Sequence, residues 1–114
     1  MLGKKTSLTT LIGESSNVQG DITTKQSVRV DGIIIGNIIA GSAIIISVSG
    51  EAEGDLTCIA GKILIEGKVE GNVIAESIKI TSTGKITGRI ETSNISIEYG
   101  ATVNSTIVIK ESKD

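Results

Sequence analysis

Two phrases of alternating apolar and polar residues recur along this chain with a period of about 17 residues, short for a repeat protein. The first is an aliphatic residue, any residue, Gly, a polar residue and an aliphatic residue, as in Val69-Glu-Gly-Asn-Val73. Its central residues are Gly20, Gly36, Gly54, Gly71 and Gly88, with Ser105 in a degenerate sixth copy. The intervals between successive copies differ from this period by at most one position. Helical repeats need about 33 residues or more, and the alternation inside each copy is that of a strand.

The second phrase, aliphatic-x-aliphatic, lies between the copies of the first. Its copies are Val28-Arg-Val30, Ile44-Ile-Ile46, Ile63-Leu-Ile65, Ile78-Lys-Ile80 and Ile95-Ser-Ile97. A glycine soon after four of them (Gly32, Gly50, Gly67, Gly84) marks a corner where positive φ or close backbone approach is needed. Two phrases repeating in step predict three short strands and three corners per turn.

The fold predicted from this pattern is all-β, a right-handed parallel β-helix (β-solenoid) of about six coils with a triangular cross-section. Left-handed hexapeptide helices share that cross-section, but the uneven spacing of the copies favours the right-handed type. Val69, Gly71 and Val73 are expected to point inward, and Glu70 and Asn72 outward. The predicted boundaries are a flexible N-terminal tail at 1–13, the β-helix at 14–109 and a short C-terminal tail at 110–114.

Composition narrows the range of functions. Tyr99 is the one aromatic residue, His and Pro are absent, and 11 basic against 13 acidic residues give a net charge of −2. This charge and the lack of aromatic stacking groups disfavour nucleic-acid binding. Cys58 is the one cysteine, which excludes an intrachain disulfide. A cytoplasmic location is expected, because no long apolar stretch resembles a secretory signal or a membrane span.

Candidate catalytic or ligand-binding chemistry is sparse. Cys58 has no histidine to act as its base and aligns with Ala40 and Ala75, so it is interpreted as a small packing residue. The polar residues after the repeated glycines form a column, which is a candidate metal or sugar site. They are Asp21, Asn37, Asp55, Asn72 and Arg89. The Asn and Arg members favour a solvated outer ladder instead. The sequence therefore predicts no enzyme and no catalytic, cofactor or metal site.

The order of these phrases resembles the bactofilins, bacterial polymer-forming cytoskeletal proteins. The resemblance is carried by Thr10-Leu-Ile-Gly13, Val18-Gln-Gly-Asp-Ile22, Val28-Arg-Val-Asp-Gly32 and Glu98-Tyr-Gly-Ala-Thr-Val103. It implies a right-handed β-helix that polymerises end to end without nucleotide, often on the inner face of the membrane, where it positions cell-envelope enzymes. Bactofilins commonly carry a Phe in the last coil, and Val103 stands at the matching position.

An uncapped β-helix exposes unpaired backbone groups around an apolar cross-section at each end. We therefore predict that the ends are the polymerisation interface, formed by the first coil and the last coil. The predicted residues are Val18, Ile22, Val28 and Val30 at the first coil, and Val103, Ile107 and Ile109 at the last. The alternative is that these are core residues shielded by the tails.

Two further surfaces are candidates for contact with partners. Met1, Leu2, Lys4 and Lys5 resemble a short membrane-targeting tail, although an ordinary disordered N-terminus has the same composition. Ile33, Ile35, Ile39 and Ile45 fall at outward positions and form a candidate lateral patch, for bundling, a partner or the membrane. A local bulge would instead turn some of them inward.

The function expected from the sequence is a structural protein that forms homopolymers and scaffolds cell-shape or cell-envelope machinery at the membrane. The main alternative is a β-helical adaptor that does not polymerise. A hexapeptide acyltransferase would need a catalytic His and a strict six-residue period. An ice-binding solenoid would need stacked Thr-x-Thr arrays, and Thr81-Ser-Thr83 occurs once, with Leu64 and Glu66 at the matching positions.

Overall fold

The computed structural model describes residues 9–111, which contain strands and turns but no helix. The strands are β1 Thr9–Ile12, β2 Asn17–Gln19, β3 Ile22–Thr24, β4 Ser27–Val30, β5 Ile33–Ile35, β6 Ile38–Ala40, β7 Ala43–Ile46, β8 Glu51–Glu53, β9 Leu56–Ile65, β10 Lys68–Ile80, β11 Lys85–Ile97 and β12 Thr102–Ile109. Every pairing between them is parallel. The all-β parallel fold predicted from the repeat is confirmed.

The strands stack into three faces, each with six rungs along the axis. The first face is built from β1, β4, β7 and residues 62–65, 77–80 and 94–97. The second face is built from β2, β5, β8 and residues 68–70, 85–87 and 102–104. The third face is built from β3, β6 and residues 56–58, 73–75, 90–92 and 107–109. The chain visits the faces in this order once per turn, which gives the six predicted coils.

The core is a ladder of aliphatic side chains between the three faces. Along β10, Val69, Val73 and Ile80 are fully buried, while Glu70 and Asn72 are exposed, as the alternation predicts. Because neighbouring coils pair in register, each buried residue lies on its counterpart from the coil before, as Ile63 lies under Ile78. β-branched side chains suit this arrangement, since their restricted rotamers fit stacked strands.

Glycines hold the corners for two separate reasons. Gly71 has φ +143°, a conformation that costs an L-residue strain, and a Cβ there would overlap the carbonyl oxygen of Gly54 in the coil below. Gly67 has no positive φ, but its Cβ would overlap the carbonyl oxygens of Ser47 and Gly50. The glycine of the first phrase is thus required both for its positive φ and for close contact with the coil below. The glycine that follows the second phrase is required for close contact alone.

The β-helix begins earlier than the predicted boundary at residue 14. Residues 9–12, which the sequence analysis assigned to the N-terminal tail, form β1 and pair with β4, with Ile12 on Val30. Ile12 is 5% exposed and belongs to the core. The reason is that Thr10 and Ile12 continue the two-residue alternation of the second phrase. At the other end β12 closes at Ile109, and the Lys110 amide donates to the Thr92 carbonyl at 2.8 Å.

The third coil carries an insertion between the third and first faces. Three residues, Ile59, Ala60 and Gly61, occupy a corner that β10 turns with Glu76 alone, and the register between β9 and β10 shifts there. Ile59 protrudes from this corner with 72% of its surface exposed.

Candidate polymerisation interface

Both ends of the stack present strands that are paired on one side. At the N-terminal end β1 pairs with β4, β2 with β5 and β3 with β6, and none of the three has a second neighbour within residues 9–111. At the C-terminal end, residues 94–97 and β12 are paired with β10 and β11 and have no strand beyond them in the same part of the chain. The open backbone groups of such edges are available to pair with another chain.

The C-terminal end exposes part of the apolar core. Ile107 is 38% exposed and Ile109 56%, although the register places them on Ile90 and Thr92, which are buried. Val103 is half-buried and packs against the core. Ile97, at 45%, completes this surface on the first face. The interface prediction omitted Ile97, although the last copy of the second phrase, Ile95-Ser-Ile97, contains it.

The N-terminal end differs from the prediction in one respect. Val18 and Ile22 lie in the first coil and are half-buried. Val28 and Val30 are fully buried in the second rung of the first face, beneath Thr10 and Ile12 of β1. They therefore do not line the open end, because the fold starts one rung earlier than expected, and β1 takes their place there.

The polar column lies on the corner between the second and third faces and satisfies the backbone of the coil that follows. Asp21 Oδ1 accepts from the Asn37 amide at 2.9 Å, and Asn37 Oδ1 accepts from the Asp55 amide at 2.9 Å. Asp55 Oδ1 accepts from the Asn72 amide at 3.2 Å. An amide that would otherwise lack a strand partner thus receives an acceptor from the previous coil. Within residues 9–111 no group of three or more potential metal-binding side chains occurs.

An ion cluster lies on the third face beside the last coil. Glu91 accepts from Lys110 Nζ at 3.3 Å and from Arg89 Nη2 at 3.4 Å. The hydrogen bond from Lys110, and then that from Arg89, hold the pKa of the Glu91 carboxyl below its usual value, although partial desolvation opposes them. The ion pair between Glu91 and Lys110 joins the residue directly after β12 to the preceding coil.

The four residues of the predicted lateral patch lie on three different faces. Ile33 and Ile35 are on the second face, between the polar residues of β2 and the glutamates of β8. Ile39 is on the third face, and Ile45 is half-buried on the first. They point outward, as the alternation predicts, but they do not form one surface, since a single coil turns through all three faces.

The remaining candidate groups are placed as follows. Cys58 is fully buried against Ala75, and burial raises the pKa of its thiol, which suits a packing residue. Met1, Leu2, Lys4 and Lys5, the predicted membrane tail, lie outside the described residues. No helix in the described part of the chain is long and apolar enough to cross a membrane.

The stack of parallel coils is shared with known proteins. The sequence profile of the family described as "Bactofilin: Polymer-forming cytoskeletal" matches residues 10–108. This chain belongs to the bactofilin family. The bactofilins are structural, cytoskeletal proteins and not a family of enzymes. A search of curated protein sequences gave no significant match.

Among solved structures, the chain is similar to a bactofilin from Thermus thermophilus, crystallised as a mutant in which a phenylalanine is replaced by arginine. The TM-score is 0.68 and the sequence identity 26%, and the alignment covers 80% of this chain and 99% of the other. The parallel β-helix predicted from the repeat is therefore shared with an experimental structure.

Proposed function

We propose that this chain assembles end to end into filaments without nucleotide and thereby scaffolds cell-shape or cell-envelope machinery on the cytoplasmic face of the membrane. The observation that carries the proposal is the open last coil, in which Ile97, Ile107 and Ile109 are each roughly half exposed. The membership of the chain in a polymer-forming family supports it.

Stacking a second copy on this end removes two costs at once. It covers the isoleucines, and full burial of such a side chain is worth about 1.5–3 kcal/mol, so each half-exposed one contributes about 1 kcal/mol. It also continues the backbone ladder, in which a hydrogen bond is worth about 0.5–1.5 kcal/mol net. Several such bonds per coil are needed, because association costs at least several kcal/mol. Neither contribution involves a nucleotide, so assembly does not require one.

Replacing Ile107 with Arg tests the end contact. In a stacked interface the guanidinium would be buried against apolar side chains without a partner, so we expect the critical concentration for polymerisation to rise at least 100-fold. Purified protein is examined by negative-stain electron microscopy and by sedimentation. Ile35→Arg is the matched control: Ile35 is 41% exposed, against 38% for Ile107, but points outward from the second face.

If Ile107→Arg forms filaments at the wild-type critical concentration, the last coil is not part of the interface. A wild-type chain that stays single at high concentration would favour the non-polymerising adaptor.

The membrane part of the proposal rests on the N-terminal residues Met1, Leu2, Lys4 and Lys5, which combine a small apolar tip with two cations. A cation near an anionic leaflet contributes about 1 kcal/mol, so one tail binds weakly. A filament carries many tails. Once one tail is bound, the others are held close to the membrane at a high effective concentration, so the filament binds with high avidity.

A further inference from the structure

The third face carries an apolar strip that runs parallel to the axis. Its outward positions, from the first rung to the sixth, are Thr23, Ile39, Thr57, Ile74, Glu91 and Val108, which follow each other in register. Ile39 is 48% exposed and Ile74 36%, and Ile59 protrudes beside them from the corner. We define the third-face strip as Ile39, Thr57, Ile59 and Ile74.

Within residues 9–111 the other two faces expose less apolar surface on adjoining rungs. On the first face Ile45 and Leu64 adjoin but are half-buried, and Arg29 separates Ile45 from Leu11. On the second face Ile35 is followed by Glu53 and then Glu70. The third-face strip is therefore the lateral surface on which contact with another apolar surface would gain most.

Charges beside the strip are arranged about its centre. In the corner column, Asp21 is in the first rung and Arg89 in the fifth, with the rung of Thr57 midway between them. No described cation pairs with Asp21. Arg89 shares Glu91 with Lys110, so this cluster retains one net positive charge. Along this corner the strip is thus flanked by a carboxylate without a described cation towards one end and by surplus positive charge towards the other, while Lys25 lies beside Ile39 at the opposite corner.

We propose that a second copy of this chain packs against the third-face strip with its axis reversed, about a two-fold axis that passes through the rung of Thr57. This rotation exchanges the second rung with the fourth and brings Ile39 onto Ile74 of the second copy. Thr57 and Ile59 meet their own counterparts. The first rung is exchanged with the fifth, so Asp21 faces Arg89 of the second copy, twice per pair.

A reversed copy fits better than the other occupants. In a parallel pair the two corners of the face would be exchanged, and Ile59 would lie against Asp55 of the second copy, which buries an apolar side chain on a carboxylate. An anionic lipid surface is disfavoured because carboxylates outnumber cations beside the strip. The carboxylates are Asp21, Asp55, Glu76 and Glu91, and the cations are Lys25, Arg89 and Lys110. Lateral pairing goes beyond the proposed end-to-end assembly and does not depend on it, since the two contacts use different surfaces.

The corner column supplies a matched pair of variants. Asp21→Asn and Asp55→Asn each remove one negative charge and each keep a side-chain oxygen for the next amide, as Asn37 does for Asp55. In the proposed pair, Asp21 faces a cation and Asp55 faces its own counterpart. Asp21→Asn is therefore expected to weaken pairing roughly 2- to 30-fold, because it removes two exposed charge pairs at about 0.2–1 kcal/mol each. Asp55→Asn is expected to strengthen pairing roughly 1.4- to 5-fold, because it removes one repulsive pair of the same size.

Pairing is measured by sedimentation equilibrium in the Ile107→Arg background, so that end-to-end growth does not mask it. Ile39→Lys is expected to abolish the dimer and Ile35→Lys, on the second face, to leave it unchanged. A chain that remains monomeric, or two Asp variants that shift the equilibrium in the same direction, overturns the proposal. Should Ile107→Arg still form filaments, the end contact has failed, and the fraction of paired filaments in micrographs replaces sedimentation as the readout for the same variants.

The relative direction of the two copies is tested by disulfide cross-linking in a chain that carries Cys58→Ala. A mixture of Ile39→Cys and Ile74→Cys chains is expected to cross-link, and Ile39→Cys alone is not, because two Ile39 residues in a reversed pair are separated by two rungs, about 10 Å. Efficient cross-linking of Ile39→Cys alone would overturn the reversed arrangement.

Discussion

At the scale of single residues, the corners constrain the sequence more tightly than the core does. Aliphatic residues of similar volume can replace each other in the ladder at a cost below about 1.5 kcal/mol. From Gly36 to Gly88, the glycines of the first phrase have no such substitutes, because both their φ and their contact with the coil below exclude a side chain. Gly20 separates the two effects, since it has φ +134° but nothing within 4 Å of its Cβ position.

Gly71→Ala is expected to cost more than Gly20→Ala. Both substitutions introduce strain of about 1–3 kcal/mol at positive φ, but only the methyl group added at Gly71 would also overlap the Gly54 carbonyl and force the two coils apart. Urea unfolding of the unassembled chain, monitored by circular dichroism, is expected to give a further loss of at least about 1 kcal/mol for Gly71→Ala. Equal losses would mean that the coils adjust freely around a methyl group.

At the scale of elements, the strands nearest the ends of the described stack pair on one side only, and the ion pair between Glu91 and Lys110 links the end of β12 to the preceding coil. Because Lys110 and Arg89 depress the pKa of Glu91, the folded state binds this proton less readily than the unfolded state does. The stabilisation is therefore present above the ordinary glutamate pKa, which is about 4.3, and is lost as the pH falls through the depressed value.

Glu91→Gln is accordingly expected to be less stable than wild type at pH 7 and to approach it as the pH falls below about 4. The midpoint of urea unfolding, measured for both chains from pH 7 to pH 3, tests this. A difference that stays constant over that range would show that the carboxylate charge does not hold β12. Glu70→Gln is a suitable control, since Glu70 lies in the middle of the stack with one exposed partner, Lys68.

At the scale of the whole molecule, coils follow each other about 4.8 Å apart along the axis, so copies that stack end to end lie in one line. The weak membrane contacts of their N-terminal tails then add up along the filament. Deletion of residues 1–5 is expected to abolish sedimentation of filaments with anionic vesicles. In the unpolymerised Ile107→Arg chain, intact tails are expected to bind at least 10-fold more weakly than in filaments. Neutral vesicles are the control, and unchanged binding after the deletion would exclude the tail as the membrane anchor.

The sequence by itself determined the coil. Two phrases in step, with glycines at fixed offsets, specify parallel strands, their inward side chains and about six turns, because each rung repeats one local steric and hydrophobic requirement. The same local pattern identified the residues of the last coil, Val103, Ile107 and Ile109, and the family to which the chain belongs.

Only the tertiary structure decided which residues share a surface. β1 covers Val28 and Val30, so these valines leave the open end, and the four outward isoleucines separate onto three faces. The insertion of Ile59, Ala60 and Gly61 creates a protrusion that neither phrase contains. The physical reason is that alternation fixes only whether a side chain points in or out, whereas the face and rung it occupies depend on the lengths of all the corners before it.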